Sequence, residues 1–169
     1  WEDATVHFLT HALHYGTSVF EGIRSYSTPE GPAVFRLADH MDRFHTSAKS
    51  YRIPLKWSSE ELSDACVELL RACGLDNAYL RPLLFWGYGD VGLFPKSSPA
   101  QTMIAAFPLG NYHGSSAADE GITAKVSSWR RISHTSLIPT AKGGGGYLNS
   151  MLAKGEALSA GVDEAILLN

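Results

Sequence analysis

In the stretch IPTAKGGGGYLNS (138–150), Lys142 is followed directly by four glycines and then by an apolar run with helix spacing. Three chemistries compete for this arrangement. A flexible linker would be polar at both ends, but this segment runs into YLNSMLAKGEAL, with apolar residues at 148, 151, 152 and 158. The glycines therefore stand at a helix entrance, and a linker is the weaker reading. A Walker-type loop needs its lysine and its Ser or Thr after the glycines, so that the amine reaches back over the phosphates. Lys142 precedes them, and with Leu148 in place no G-x-G-x-x-G spacing survives. That argues against a nucleoside triphosphate, although the backbone N–H groups at 143–146 could still take one phosphate at the helix entrance.

The third chemistry is covalent. A neutral amine attacks a carbonyl to form a Schiff base. The positive end of a helix and removal from water both disfavour the ammonium form, and bare backbone beside the amine would admit a flat cofactor. On the residues alone, the covalent lysine and the anion cradle both stay open. Lys49, Lys56, Lys96 and Lys154 read as ordinary solvated lysines. His11 and His14 read as packing or surface histidines, since their spacing alone makes no metal site, and no metal is expected. Cys66 and Cys73 lie on one helical pattern, separated along its axis by roughly 10 Å, too far for a disulfide. They read as small core residues.

Elements must position these groups. TSVFEGIRSY (17–26) and GPAVFRL (31–37) read as strands joined by the turn STPEG. ADHMDRFHTSAKSYRI (38–53) has helical spacing at 41, 44 and 48 and is ended by Pro54. SSEELSDACVELLRACG (58–74) is the clearest helix, with a Ser58–Glu61 capping box, a stripe of Leu62, Cys66, Leu69, Leu70 and Cys73, and Gly74 as the stop. Strands are expected over 78–89, 101–110 and 122–130, a helix from about 145 to 160, and a further strand from 164. The small polar stretch NYHGSSAADEG (111–121) reads as a linker between domains. The order of elements indicates α/β or α+β layers.

The 169 residues are 44% hydrophobic and 18% charged, enough for a packed core. A net charge of −3 argues against a dedicated nucleic-acid binder. No apolar run approaches the roughly 20 residues that span a bilayer, and no secretory leader is visible. A reducing, cytoplasmic setting fits. The opening WEDATVHF and the ending DEAILLN both read as cut.

Four motifs in order, HALHYGTSVFEGIRSY, VFRLADHMDRFHTSAKSYRIP, AYLRPLLFWGYGDVG and PTAKGGGGYLNSMLAKGEA, resemble the fold-type IV pyridoxal-phosphate enzymes, and most closely the branched-chain amino acid aminotransferases. The resemblance covers essentially the whole chain. It implies a two-domain, D-amino acid aminotransferase-like fold, α/β (α+β by some schemes). Residues 1–110 would form most of the small domain, 111–120 the linker, and 121–169 the opening of the large domain. Members run to roughly twice this length, so a first strand before Trp1 and the rest of the large domain are expected to be missing. The chain would stop before the acidic partner of the pyridine nitrogen and the later residues of the phosphate cup.

The resemblance also implies roles. Lys142 matches the lysine that holds pyridoxal 5′-phosphate covalently and then moves the substrate proton. Tyr147 matches a tyrosine at the cofactor's phenolic oxygen, and Arg43 an arginine at its phosphate. Phe20, Gly22, Tyr79, Arg81 and Tyr112 match substrate-pocket positions. Phe20 would supply apolar wall and Tyr79 would hold the α-carboxylate. Arg81 would meet glutamate's distal carboxylate together with Tyr112 and Tyr15, with Tyr15 reaching in from a partner subunit of a homodimer or higher homo-oligomer. Arg24 would have a supporting role. The sequence departs from the family with Leu109 where many bacterial members have Trp, with the loop DVGLFPKSSP, in which Leu93 would line the pocket, and with a plainer glycine run. The implied reaction is transamination between branched-chain L-amino acids and 2-oxoglutarate. A D-amino acid aminotransferase, an aminodeoxychorismate lyase and a non-catalytic anion-binding α/β module are the alternatives.

Overall fold

The computed structural model describes residues 4–108 and 121–169. Leu109, Tyr112 and the linker expected over 111–120 lie outside the described residues. Two compact units are present. Residues 4–108 and 140–145 form the first, which therefore includes the Lys142 loop, and residues 121–139 and 146–169 form the second.

The first unit is an antiparallel sheet with helices packed on one face. Its strands are β1 (Ser18–Phe20), β2 (Ile23–Tyr26), β3 (Ala33–Val34), β4 (Ala78–Trp86) and β5 (Ala100–Phe107). β4 is central, pairing with β5 on one side and with both β1 and β2 on the other, while β3 adds to β2. The single strand expected over 17–26 is thus two. The register is continuous, since Phe20 pairs with Leu83 and Ile23 with Leu80, and the gap lies opposite Pro82. The Pro82 carbonyl accepts from the Glu21 N–H at 2.9 Å, but proline has no N–H to return to the Glu21 carbonyl, so the ladder breaks there. The strand expected over 31–37 shrinks to Ala33–Val34, because Arg36 turns at φ 50° into the next helix.

A short helix α1 (His11–Tyr15) precedes the sheet, and α2 (Leu37–Ser50) and α3 (Ser59–Cys73) cover it. The capping box of α3 forms as expected, with the Glu61 N–H donating to Ser58 Oγ at 3.1 Å and the Ser58 N–H to Glu61 Oε2 at 2.8 Å. Strand residues alternate sides, so Val19, Ile23, Ala78, Leu80 and Leu84 face the helices and meet Met41, Phe44 and Ala48 of α2 and Leu62, Cys66 and Leu70 of α3. Burial pushes the Cys66 thiol up to about 11. Cys73, expected on the same core stripe, is exposed: it lies in the last turn of α3, beyond Leu70.

The second unit is a strand–helix–strand crossover. β6 (Ala124–Arg130) and β7 (Glu164–Leu168) run parallel, which requires a long connection, and α4 (Tyr147–Ser159) supplies it after a 3-10 turn at Gly144–Gly146. Ala153 and Ala157 bury completely, and their small side chains let α4 pack close. Glu156 ties the helix to β6, accepting from Lys125 Nζ at 2.7 Å, Ser127 Oγ at 2.7 Å and Ser128 Oγ at 3.0 Å. Lys154, expected to be solvated, instead bonds Glu164 Oε1 at 2.6 Å and the Asp163 carbonyl, because its turn of α4 lies beside the start of β7. Among the described residues no helix is long and apolar enough to cross a membrane.

Candidate active site

The sheet face turned away from α2 and α3 carries the chemistry. Since Val19 and Ile23 point to the helices, Phe20, Gly22 and Arg24 point the other way, alongside Tyr79 and Arg81 of β4. Arg81 Nη2 donates to the Tyr79 hydroxyl at 2.9 Å. The Arg81 guanidinium carbon lies 4.7 Å from the centroid of the Phe20 ring and 5.1 Å from that of Tyr79. Gly22 sits beneath this pair, and a Cβ there would overlap the Tyr79 hydroxyl. Arg81 Nε is buried and has no hydrogen-bond partner among the described residues. A buried donor in that state is costly unless something binds it.

Lys142 comes to the same place from the far end of the sequence. Its N–H donates to Ser47 Oγ of α2 at 2.9 Å, and its carbonyl accepts from the Phe20 N–H at 3.1 Å. Val19 and Gly143 form one isolated antiparallel bridge, so the loop lies against β1. The ε-amine lies 5.0 Å from the Phe20 ring centroid. Amine and Arg81 guanidinium are therefore within about 10 Å of each other, with one ring as their common neighbour. The structure gives two of the glycines a reason beside the one expected. A Cβ on Gly143 would stand 2.7 Å from the Tyr51 ring, and one on Gly144 would strike Ser18 Oγ. Bare backbone at 143 and 144 lets the loop dock against the protein itself.

Arg43 lies on α2 one turn before Ser47. Its Nε and Nη2 fork onto the carboxylate of Glu21 at 2.7 and 2.6 Å, and His40 Nδ1 lies 2.9 Å from the same group. Burial alone would raise the Glu21 carboxyl, but the bonds from Arg43 and His40 outweigh it and hold it below the usual carboxylate range. The Glu21 side chain is 0% exposed and that of Arg43 48%. The arginine is thus aimed by an acid beneath it while much of it still faces solvent.

Sequence reasoning missed Glu21, Ser47 and Tyr51. A signal existed for the first two. Glu21 falls on the inward positions of a strand between Val19 and Ile23, where an acid needs a cationic partner. Ser47 falls on the buried side of α2, beside Phe44 and Ala48.

The remaining expected residues are placed separately. Tyr15 lies on α1, its hydroxyl donating to the Val91 carbonyl at 3.1 Å, so that bond ties it to the loop after β4 and not to the Phe20 cluster. Tyr147 opens α4 in the second unit and is half exposed. Arg24 stands 5.7 Å over the Tyr26 ring, and Leu93 is 82% exposed. His11 is a packing histidine, with Nδ1 2.8 Å from Thr17 Oγ1 and Nε2 2.8 Å from the Gly92 carbonyl. No cluster able to hold a metal ion occurs among the described residues.

This arrangement has counterparts. The branched-chain-amino-acid aminotransferase of Escherichia coli (strain K12) is 49% identical over the whole chain and 55% of its own length. The crystal structure of an Escherichia coli branched-chain amino acid aminotransferase superposes with a TM-score of 0.97, at 49% identity, covering 100% of this chain and 56% of that one. The branched-chain aminotransferase from the thermophilic archaeon Thermoproteus uzoniensis, solved with norvaline, superposes at 0.92, with 42% identity over 99% of this chain and 55% of that one. The chain spans about half the length of the curated relatives it matches. The α/β, fold-type IV expectation therefore stands. A family model described as Amino-transferase class IV matches residues 18–169, a span that takes in β1 with Phe20, the arginine of α2, the Tyr79–Arg81 strand and the lysine loop, and so the chain belongs to the class IV aminotransferase family.

Proposed function

We propose that the protein transfers amino groups between branched-chain L-amino acids and 2-oxoglutarate, using pyridoxal 5′-phosphate. The observation that carries this reading is the shared wall at Phe20, with a lysine amine 5.0 Å from the ring centroid and the Arg81 guanidinium carbon 4.7 Å from it. An amino acid presents an amino group and a carboxylate a short span apart, and an amine at the place where amino groups are exchanged, with a guanidinium for the carboxylate, suits that pair. The residues present fit the cofactor. Lys142 and Arg43 offer an amine and a pre-aimed phosphate receptor, and the buried Arg81 Nε wants an anionic or carbonyl acceptor. Lys142, Arg43 and Tyr147 would hold the cofactor. When bound, it supplies an aldehyde for amines to condense with and a ring that withdraws electrons from the substrate α-carbon.

The chain's own groups then divide the work. Lys142 Nζ takes the proton from the substrate α-carbon as base and returns it as acid. Arg43, whose Nε and Nη2 fork onto Glu21, would meet the phosphate with the guanidinium edge turned away from that acid, its direction already set. Tyr79 and Arg81 receive carboxylates, and Gly22 leaves room for the Tyr79 hydroxyl that bonds Arg81. Phe20 offers apolar surface to an aliphatic side chain. Tyr112, and Tyr15 from the second subunit of a cytoplasmic homodimer, complete the pocket in this reading.

Borohydride reduction of the full-length protein loaded with pyridoxal phosphate, followed by peptide mapping, tests it. The expected result is a stable adduct on Lys142, with leucine–2-oxoglutarate exchange abolished in Lys142→Ala. An adduct on another lysine, or exchange at the parental rate in that variant, refutes the assignment. Preference for D-alanine or aminodeoxychorismate over L-leucine would move the protein to a sister activity of the same fold.

A further inference from the structure

Both backbone groups of Lys142 are tied to different elements. Its N–H donates to Ser47 Oγ on α2, and its carbonyl accepts from the Phe20 N–H on β1. Ser47 is fully buried. A serine in a helix interior on the apolar side has no packing advantage over alanine, and its hydroxyl must be satisfied where it sits. Here it bridges 95 positions of sequence to one amide. The residues four before and four after it, one on α2 and one at its C-terminal cap, act on the same region. Arg43, four residues earlier, forks onto Glu21, and Tyr51, four residues later, packs its ring where a side chain on Gly143 would be. Four residues of α-helix rise about 6 Å, so α2 acts as a stiff ruler between the arginine and the lysine.

We propose that Ser47 is a positioning residue for Lys142. By accepting from the Lys142 N–H, it fixes the lysine's backbone at a set distance from Arg43 and so directs the ε-amine along the Phe20 ring. The proposal deepens the aminotransferase reading and rests on it. A lysine that must reach a carbonyl carbon at one end of a ligand, while an arginine grips a phosphate at the other, needs that spacing held. Misplacement of about 1 Å in a reacting group can cost on the order of a hundredfold in rate.

The test uses the full-length protein with Ser47→Ala and Ser47→Thr. In cofactor-free protein, exchange of the Lys142 amide proton, followed by NMR with labelled lysine, is expected to quicken about tenfold in Ser47→Ala, as loss of a net hydrogen bond predicts. In loaded protein, kcat for L-leucine is expected to fall about tenfold with KM within about twofold, because binding groups stay in place while the amine is misdirected. Ser47→Thr keeps the oxygen and restores both. If Ser47→Ala fails to fold, Ser47→Cys takes its place, keeping the volume with a weaker acceptor. Unchanged amide exchange with unchanged kcat overturns the proposal, as does an equal loss in the alanine and threonine variants. An adduct mapping away from Lys142 in the parental protein would refute the covalent assignment, and the exchange measurement would still decide whether Ser47 holds the loop.

Discussion

The Phe20 ring has the Lys142 amine and the Arg81 guanidinium as neighbours, and the guanidinium gains on the order of 0.5–2 kcal/mol from its face, more as water is removed. That gain favours Arg81 beside an apolar wall before any ligand arrives, while the backbone bonds of Lys142 bring its amine to the same ring. Gly22 keeps the arrangement possible. In Gly22→Ala the new methyl group must displace the Tyr79 hydroxyl from its 2.9 Å bond with Arg81. The variant is expected to fold normally, since residue 22 faces away from the core, while kcat/KM for glutamate falls about tenfold or more; steady-state kinetics and a melting curve together check this. Sequence motifs placed Lys142, Arg43, Phe20, Tyr79 and Arg81 on elements that the structure shares. Their partners were harder to see. Glu21 serves Arg43 from 22 positions away and Ser47 serves Lys142 from 95, and one sequence cannot say which distant group a buried acid or hydroxyl meets. The glycine run was legible as a backbone requirement but not as a fit to Tyr51 and Ser18, for the same reason.

At the scale of elements, local chemistry was readable wherever it was self-contained. The capping box of α3 and its glycine stop needed only neighbours in sequence. The division of β1 from β2 did not, because it comes from Pro82 across the sheet. In the second unit, α4 owes its seat to a carboxylate that sequence periodicity passes over. Hydrogen bonds from Lys125, Ser127 and Ser128 bring Glu156 down to about 2. The folded value lies below the ordinary value of 4.5, so the stabilisation is fully present above that pH and disappears as pH falls towards 2. Urea unfolding of the protein between pH 5 and 2, against Glu156→Gln, checks it. The parental midpoint is expected to fall across that window and the variant's to fall less steeply.

At the scale of the molecule, exposed apolar side chains gather on α1, the turn before it and the loop after β4. Phe8, Leu13, Tyr15, Val91, Leu93 and Phe94 are all open to solvent. These segments are joined by the Tyr15–Val91 bond, the His11–Gly92 bond and the stacked His7 and Tyr88 rings, 3.9 Å apart. A patch of this kind fits a subunit interface. Under the homodimer reading, Leu93→Asp is expected to shift sedimentation of the full-length protein towards the monomer and to lower activity with it; an unchanged dimer mass counts against this surface. The two cysteines give the first unit a built-in reporter. Cys66 is sealed in the core with a thiol that resists ionisation, while Cys73 is open. A maleimide titration of native protein should therefore label one site in the chain, and the second equivalent should react only as α3 lifts from the sheet, so counting modified thiols reads the opening of that unit directly.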